Sequence, residues 1–239
     1  MISPLVFLHG WCCEADHFAS QISYFSPGRD VVSVPWQSDL MDHSVSVDLS
    51  VAEHHIESVC LAQAWTEPVV LIGHSMGGML AAMIARSNRL DVKGIVVVDA
   101  TWPLDSASSD FFKSFIPGLE ADFAGAIREF FESRLTAPGD DRTINDRIIE
   151  KVVESDAEIA LALFRDLQTP GRLPRVEEIS VPILGISSSL QFLDRGNLLT
   201  HSPDAWYGQI PGSGHFLMQQ APDQLNAMLE TFLIHIERP

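Results

Sequence analysis

An open, doubly wound, mostly parallel α/β sheet carrying a helical insert is the fold class this sequence predicts. Three observations predict it. Short apolar runs rich in β-branched residues recur along the chain, and amphipathic stretches fall between them. One long stretch, 104–175, breaks that alternation with helical patterns alone.

The strand signals come first. Leu5-Val6-Phe7-Leu8 stops at His9-Gly10, and Val31-Val32-Ser33-Val34 stops at Pro35. Val69-Val70-Leu71-Ile72 before Gly73, Ile95-Val96-Val97-Val98 before Asp99, and Ile183-Leu184-Gly185-Ile186 complete the set. Runs without polar alternation belong to strands covered on both faces, the environment of a parallel sheet. Helix spacing appears from Asp48 to Ala62, with Leu49, Ala52, Ile56 and Val59 on one side. A small-residue helix follows Gly77-Gly78, from Met79 to Arg86, and Asp223 to Ile236 carries Leu225, Met228, Leu229, Phe232 and Ile236 along one face. Within the insert, Ala121 to Leu135, Thr143 to Glu154 and Ser155 to Leu167 read as helices, the last opened by a capping box at Ser155-Asp156-Ala157-Glu158. Pro138-Gly139 and Pro170-Gly171 mark ends. The expected organisation is a core of residues 1–103 and 176–239, with 104–175 inserted as a cap over the carboxyl edge of the sheet.

Composition narrows the function classes. The chain has 239 residues, enough for one α/β domain and awkward for two. Its 15 Lys plus Arg face 32 Asp plus Glu, a formal net charge of −17 that repels phosphate backbones and anionic lipid heads. Nucleic-acid and membrane partners are therefore not expected; oligomeric state is open. No apolar run approaches the roughly 20 residues needed to span a bilayer. The start, Met1-Ile2-Ser3-Pro4, lacks the basic flank of a signal peptide, so a cytoplasmic address is expected. Cys12, Cys13 and Cys60 form neither a disulfide framework nor a zinc knuckle, and packing as reduced thiols is their expected role. Glu53-His54-His55 and Glu57 lack metal-ligand spacing, because adjacent histidines face different sides of a helix. His17, His43, His201 and His235 have no partner pattern, and nothing has the spacing of a dinucleotide or phosphate loop. No metal and no cofactor are expected.

Chemistry concentrates in Gly73-His74-Ser75-Met76-Gly77-Gly78, between a strand and a helix. A serine on a strained strand-to-helix turn needs glycine two places before and after it, and the helix that follows points its positive end at an oxyanion formed beside Ser75. A serine nucleophile needs a base. Gly212-Ser213-Gly214-His215-Phe216, just before the last helix, offers His215 on a loop of small residues.

With these residues in place, the chain resembles a member of the α/β-hydrolase superfamily. His9-Gly10-Trp11 matches that family's oxyanion loop, Gly73 to Gly77 its elbow, and Gly214-His215 its histidine loop. The resemblance covers nearly the whole chain and implies an oxyanion hole from the backbone N–H groups of Trp11 and Met76. It also points to a departure, since the first strand read here starts at Leu5 and the family's leading hairpin is therefore not expected. For the acid, many family members use the loop after the strand that here is Ile183–Ile186, where Asp194 comes late; others use the strand end occupied here by Asp99. Asp99 is favoured. The expected pocket residues are His74, beside Ser75, and Trp102 and Phe111 from the aromatic cluster in and before the insert.

The function expected from these parts is a serine hydrolase, carboxylic-ester hydrolysis first, acting on a small, fairly apolar substrate through Ser75, His215 and Asp99. Gly10-Trp11-Cys12, Pro35-Trp36 and Asp99 followed by Trp102-Pro103 also resemble the cofactor-free dioxygenases of the superfamily, which cleave hydroxy-oxo N-heteroaromatic rings with a His–Asp pair. Met76 stands where those enzymes carry a histidine. A non-catalytic ligand receptor is a third reading, which an intact Ser75 and His215 disfavour. A carbon–carbon hydrolase, lactonase or lyase would share the same sequence features.

Overall fold

Six strands make one sheet: β1 Leu5–Leu8, β2 Val31–Val34, β3 Val69–His74, β4 Val92–Val98, β5 Ile183–Ser187 and β6 Trp206–Gln209. They come from a computed structural model that describes residues 2–42 and 47–238; His43 lies outside the described residues. The spatial order is β2-β1-β3-β4-β5-β6 and every described pairing is parallel, so the expected doubly wound sheet is present. The chain runs outward from β1 to β2, then returns to build the other side from β3. This reversal is the topological switch point, where open parallel sheets place ligands at the carboxyl ends of the strands.

Ten α-helices complete the described residues: α1 Ala19–Phe25, α2 Leu49–Ala62, α3 Met76–Ser87, α4 Ser106–Ala121, α5 Phe123–Arg134, α6 Arg142–Val152, α7 Ala157–Asp166, α8 Arg195–His201, α9 Leu217–Gln220 and α10 Pro222–Ile236. Helices α2 and α3 pack together, and α1 packs with α10, so two helix pairs flank the sheet. The residues of β1 and the middle of β3 and β4 are essentially inaccessible, which explains why their sequences are apolar at every position. Strand β2 is an edge and only partly covered. Among the described residues no helix is long and apolar enough to cross a membrane.

Helices α4 to α7 fill the chain between β4 and β5. Each starts on an aspartate whose carboxylate accepts from a backbone N–H of the first turn: Asp105 from Ser108, Asp122 from Gly125, Asp141 from Thr143 and Asp156 from Ile159. Two expectations change here. The start of α7 is capped by Asp156 rather than Ser155, whose hydroxyl reaches Cys12 O at 3.4 Å instead. A further helix, α4, precedes the three read from the sequence, so the stretch expected to begin at Ala121 begins at Phe123, with Asp122 as its cap.

Several boundaries also shift. Helix α3 starts at Met76, directly after Ser75, rather than at Met79. The acidic-histidine stretch of α2 is a clasp: Arg89 lies 3.0 Å from Glu53 and 2.6 Å from Glu57, and His55 pairs with Asp39 at 2.9 Å. Cys12, Cys13 and Cys60 are buried free thiols, and burial pushes Cys12 and Cys60 up to about 12.

Candidate active site

Three chain segments meet at the carboxyl ends of β1, β3 and β4. The first is the sharp turn at Ser75, with φ 52° and ψ −122°, a region that non-glycine residues rarely occupy. The flanking glycines are steric necessities. A Cβ on Gly73 would stand 2.1 Å from Gly77 O, and one on Gly77 would stand 2.1 Å from Leu8 O. The turn therefore packs backbone against backbone, and Ser75 is fixed by its N–H donating to Val98 O at 2.9 Å. Ser75 also immediately precedes α3, so the unpaired N–H groups of that helix begin beside it.

The second segment is the loop after β1. Gly10 lies so close to the turn that a Cβ there would meet His74 Nδ1 at 2.9 Å and Ser75 Cβ at 3.2 Å. Among the described residues, neither the Trp11 nor the Met76 N–H has a backbone acceptor, and both residues line the cavity over Ser75. The Trp11 indole N–H donates to Ala160 O at 2.9 Å, which ties this loop to α7.

The third segment brings the histidine. His215 Nδ1 lies 2.8 Å from Asp99 Oδ2, with the imidazole 7 % exposed and the carboxylate fully buried. The other carboxylate oxygen, Oδ1, accepts from the Ser188 N–H at 2.7 Å and the Ser187 hydroxyl at 3.4 Å. Asp99 holds φ 47°, in the left-handed region that non-glycine residues rarely occupy. Asp194 is elsewhere: its carboxylate accepts from the Asn197 N–H at 2.5 Å and caps α8. With Nδ1 committed to Asp99, Nε2 is the other nitrogen of the His215 ring. Among the described residues the Ser75 hydroxyl makes no intraprotein hydrogen bond, and Ser75 and His215 line the same cavity.

The histidine loop is held from the insert. The His215 N–H donates to Leu135 O at 2.9 Å, and the Gly214 N–H donates to Asp140 Oδ1 at 2.7 Å. Asp140 Oδ2 also accepts from the Ala137 N–H at 2.8 Å, so one carboxylate bridges the end of α5 to the loop carrying His215.

Three more buried histidines lie nearby in the chain's core, His74 against His215, His9 against Trp36 and His17 against Phe216. His74 is inaccessible; its Nε2 faces the His215 carbonyl at 3.0 Å, so that nitrogen carries the proton, and among the described residues buried Nδ1 has no partner. Burial pushes its pKa well below the usual histidine value, and the nearby His215 acts in the same direction. His9 stacks on Trp36 at 5.1 Å, its Nδ1–H donates to Gly10 O at 2.9 Å, and burial lowers it to about 4. Burial also lowers His17.

Over Ser75 lies a cavity of about 340 Å³. Gly10, Trp11, His74, Ser75, Met76 and His215 form its floor. Its walls come from the insert and include Phe111, Phe130 and Phe164. Thus Trp11, His74, Ser75, Met76, Phe111 and His215, all singled out from the sequence, share one space. Trp102 does not: it is buried outside the lining, with its indole N–H donating to Pro174 O at 2.9 Å. Sequence reasoning missed Gln191, Phe192 and Phe216, which also line the cavity; Phe192 meets the His215 ring edge-on at 5.0 Å. Phe216 was within reach as the neighbour of His215, but nothing local marked Gln191 or Phe192.

The profile of the "Alpha/beta hydrolase family" matches residues 5–228. The pimeloyl-[acyl-carrier protein] methyl ester esterase of Pectobacterium atrosepticum is 25% identical over 250 residues, covering 96% of this chain and 94% of that protein. A Mycoplasma pneumoniae protein with an esterase/lipase name is 32% identical over 96 residues, covering 39% of this chain and 36% of that one. Among solved structures, a thermophilic esterase from Thermogutta terrifontis superposes with a TM-score of 0.79 at 16% identity, covering 99% of this chain and 91% of that one, a likeness of fold.

Proposed function

Because the chain belongs to the alpha/beta hydrolase family, we propose that it is a serine hydrolase that cleaves a small, fairly apolar carboxylic ester through an acyl-enzyme. Ser75 Oγ attacks the ester carbonyl as His215 Nε2 takes its proton, and the imidazolium is stabilised by Asp99 across the 2.8 Å contact. Charge that develops on the carbonyl oxygen is met by the Trp11 and Met76 N–H groups, each such donor being worth ~3 kcal/mol in the transition state. The C–O bond to the alcohol breaks, and His215 returns the proton to the departing oxygen. Water, deprotonated by the same nitrogen, then attacks the acyl carbon and releases the acid and the free serine.

The buried histidines fit this cycle, because burial lowers the pKa of His74 and of His9. A charged His74 beside His215 would oppose the imidazolium that the first step creates. Helices α4 to α7 act as a cap, roughly residues 104–175, that walls the substrate with aromatic side chains. The cavity of about 340 Å³ sits at the small end of the roughly 300–1,000 Å³ of ligand pockets, room for a short acyl or aryl ester. The name of the Pectobacterium relative, a methyl ester esterase, supports the same bond type.

The observation that carries this reading is the buried His215–Asp99 pair opening onto the cavity that also contains the strained Ser75. Turnover of a graded panel of acyl esters and lactones by the native chain, Ser75→Ala and His215→Gln tests it. Ester hydrolysis abolished in both variants is the expected result. Hydrolysis that survives Ser75→Ala contradicts it, and oxygen uptake with 3-hydroxy-4-oxoquinolines in place of ester turnover would assign the His–Asp pair to ring cleavage instead.

A further inference from the structure

The cavity over Ser75 is lined mostly by apolar side chains, and one permanently cationic residue, the solvent-exposed Arg134, is part of that lining. Arg134 ends α5, and its guanidinium carbon stands 5.9 Å from the centroid of the Phe111 ring, itself a wall of the cavity. That contact holds a flexible cation against the aromatic lining. Several insert cations are paired, Arg128 with Glu132, Arg165 with Glu120 and Arg172 with Asp166, and Arg142 and Arg147, which have no ion pair among the described residues, do not line the cavity. Among the described residues Arg134 has no carboxylate within ion-pair distance.

Its setting gives this cation a use. A chain with a net charge of −17 repels anions over most of its surface, so a negatively charged substrate needs a local positive group to enter and stay. A guanidinium is suited to that task, because its planar fork of donors matches the two oxygens of a carboxylate. Resting on the esterase reading of Ser75, we infer that Arg134 is an anion-recognition element of the substrate site. The ester turned over then carries, besides its scissile bond and apolar body, a carboxylate that reaches Arg134 at the α5 end of the cavity. The carboxylate belongs to either the acyl or the alcohol portion; the chemistry of recognition is the same.

Three esters test the assignment in the full chain: phenyl hexanoate as the neutral reference, monophenyl adipate with the carboxylate on the acyl side, and 4-carboxyphenyl hexanoate with it on the alcohol side. For each ester kcat/KM is divided by that of phenyl hexanoate in the same preparation, so any misfolded fraction cancels. Arg134→Gln is expected to lower that ratio about tenfold for one carboxylated ester, mostly through KM, as loss of a charge-assisted bidentate contact requires. Arg134→Lys is expected to retain part of the ratio. Salt at about 0.5 M is expected to shrink the native preference, since the Debye length is then under ~5 Å. Ratios unchanged by Arg134→Gln for both carboxylated esters, while Ser75→Ala is inactive, overturn the role of Arg134 and leave the esterase reading standing. Turnover that persists in Ser75→Ala, or none by the native chain on any of the three, overturns both.

Discussion

Acidification from about pH 8 to about pH 5 is expected to weaken the fold through the buried histidines around Ser75. His9 is the case with a magnitude. Burial lowers its pKa from 6.5 to about 4 in the folded chain. At about pH 5 the unfolded chain protonates this ring almost fully and the folded chain only about one molecule in ten. The unfolded state binds more protons, so stability falls as pH drops below 6.5 and is fully present above it. The ratio of the two proton-binding polynomials is roughly thirtyfold, or about 2 kcal/mol lost from His9 alone. His17 and His74, whose pKa values burial also lowers, add losses of the same sign. Glu53, pushed upward by burial, works the other way, because its carboxyl is easier to accommodate once protonated. Urea unfolding at a series of pH values, on the native chain and on His9→Gln, isolates the first contribution. The glutamine amide can keep the donor to Gly10 O but does not titrate, so its acid loss is expected to be smaller by about 2 kcal/mol. Parallel stability curves for the two chains would refute the reasoning.

Two other changes probe the machinery directly. Asp99→Asn replaces an acceptor that serves both His215 and the Ser188 N–H, and it removes the charge opposite the imidazolium. It is expected to lower kcat on a small ester by roughly 10³–10⁴-fold, and a loss under about tenfold would argue that another group orients the ring. Asp140→Ala removes the acceptor shared by the Gly214 and Ala137 N–H groups. Loss of about 1–3 kcal/mol in stability is expected, with kcat falling more than KM rises, because the loop that carries His215 loses a tether. Unchanged kcat would show that the Leu135 contact alone suffices.

How much of this was legible in the sequence depends on how local each signal is. The five strands read as apolar runs are all present, and β1 and β2 match residue for residue, because buried parallel strands need an apolar side chain at nearly every position. Strand β6 was invisible: Trp206-Tyr207-Gly208-Gln209 is a short edge that pairs only with β5 and stays partly exposed. Helix α4 was hidden by its own composition, since Ser106, Ser108 and Ser109 near its start and Pro117-Gly118 near its end all read as loop. The turn at Ser75 was legible because its geometry depends on residues within two positions. The His215–Asp99 contact joins residues 116 apart in sequence, and only chain order hinted at it. Trp102 illustrates the opposite limit, for an aromatic residue beside a strand end says nothing of which way its ring points. Arg134 could not be found at all, because a lone arginine ending a helix is ordinarily a solvated, dipole-compensating residue.

Covalent capture of the nucleophile bears most directly on the account. A fluorophosphonate added to the native chain, followed by intact-mass and peptide analysis, is expected to leave one adduct on Ser75, accompanied by loss of esterase turnover and absent from Ser75→Ala. An adduct at another residue that abolishes turnover equally well, or an esterase-active chain that resists labelling, would contradict it.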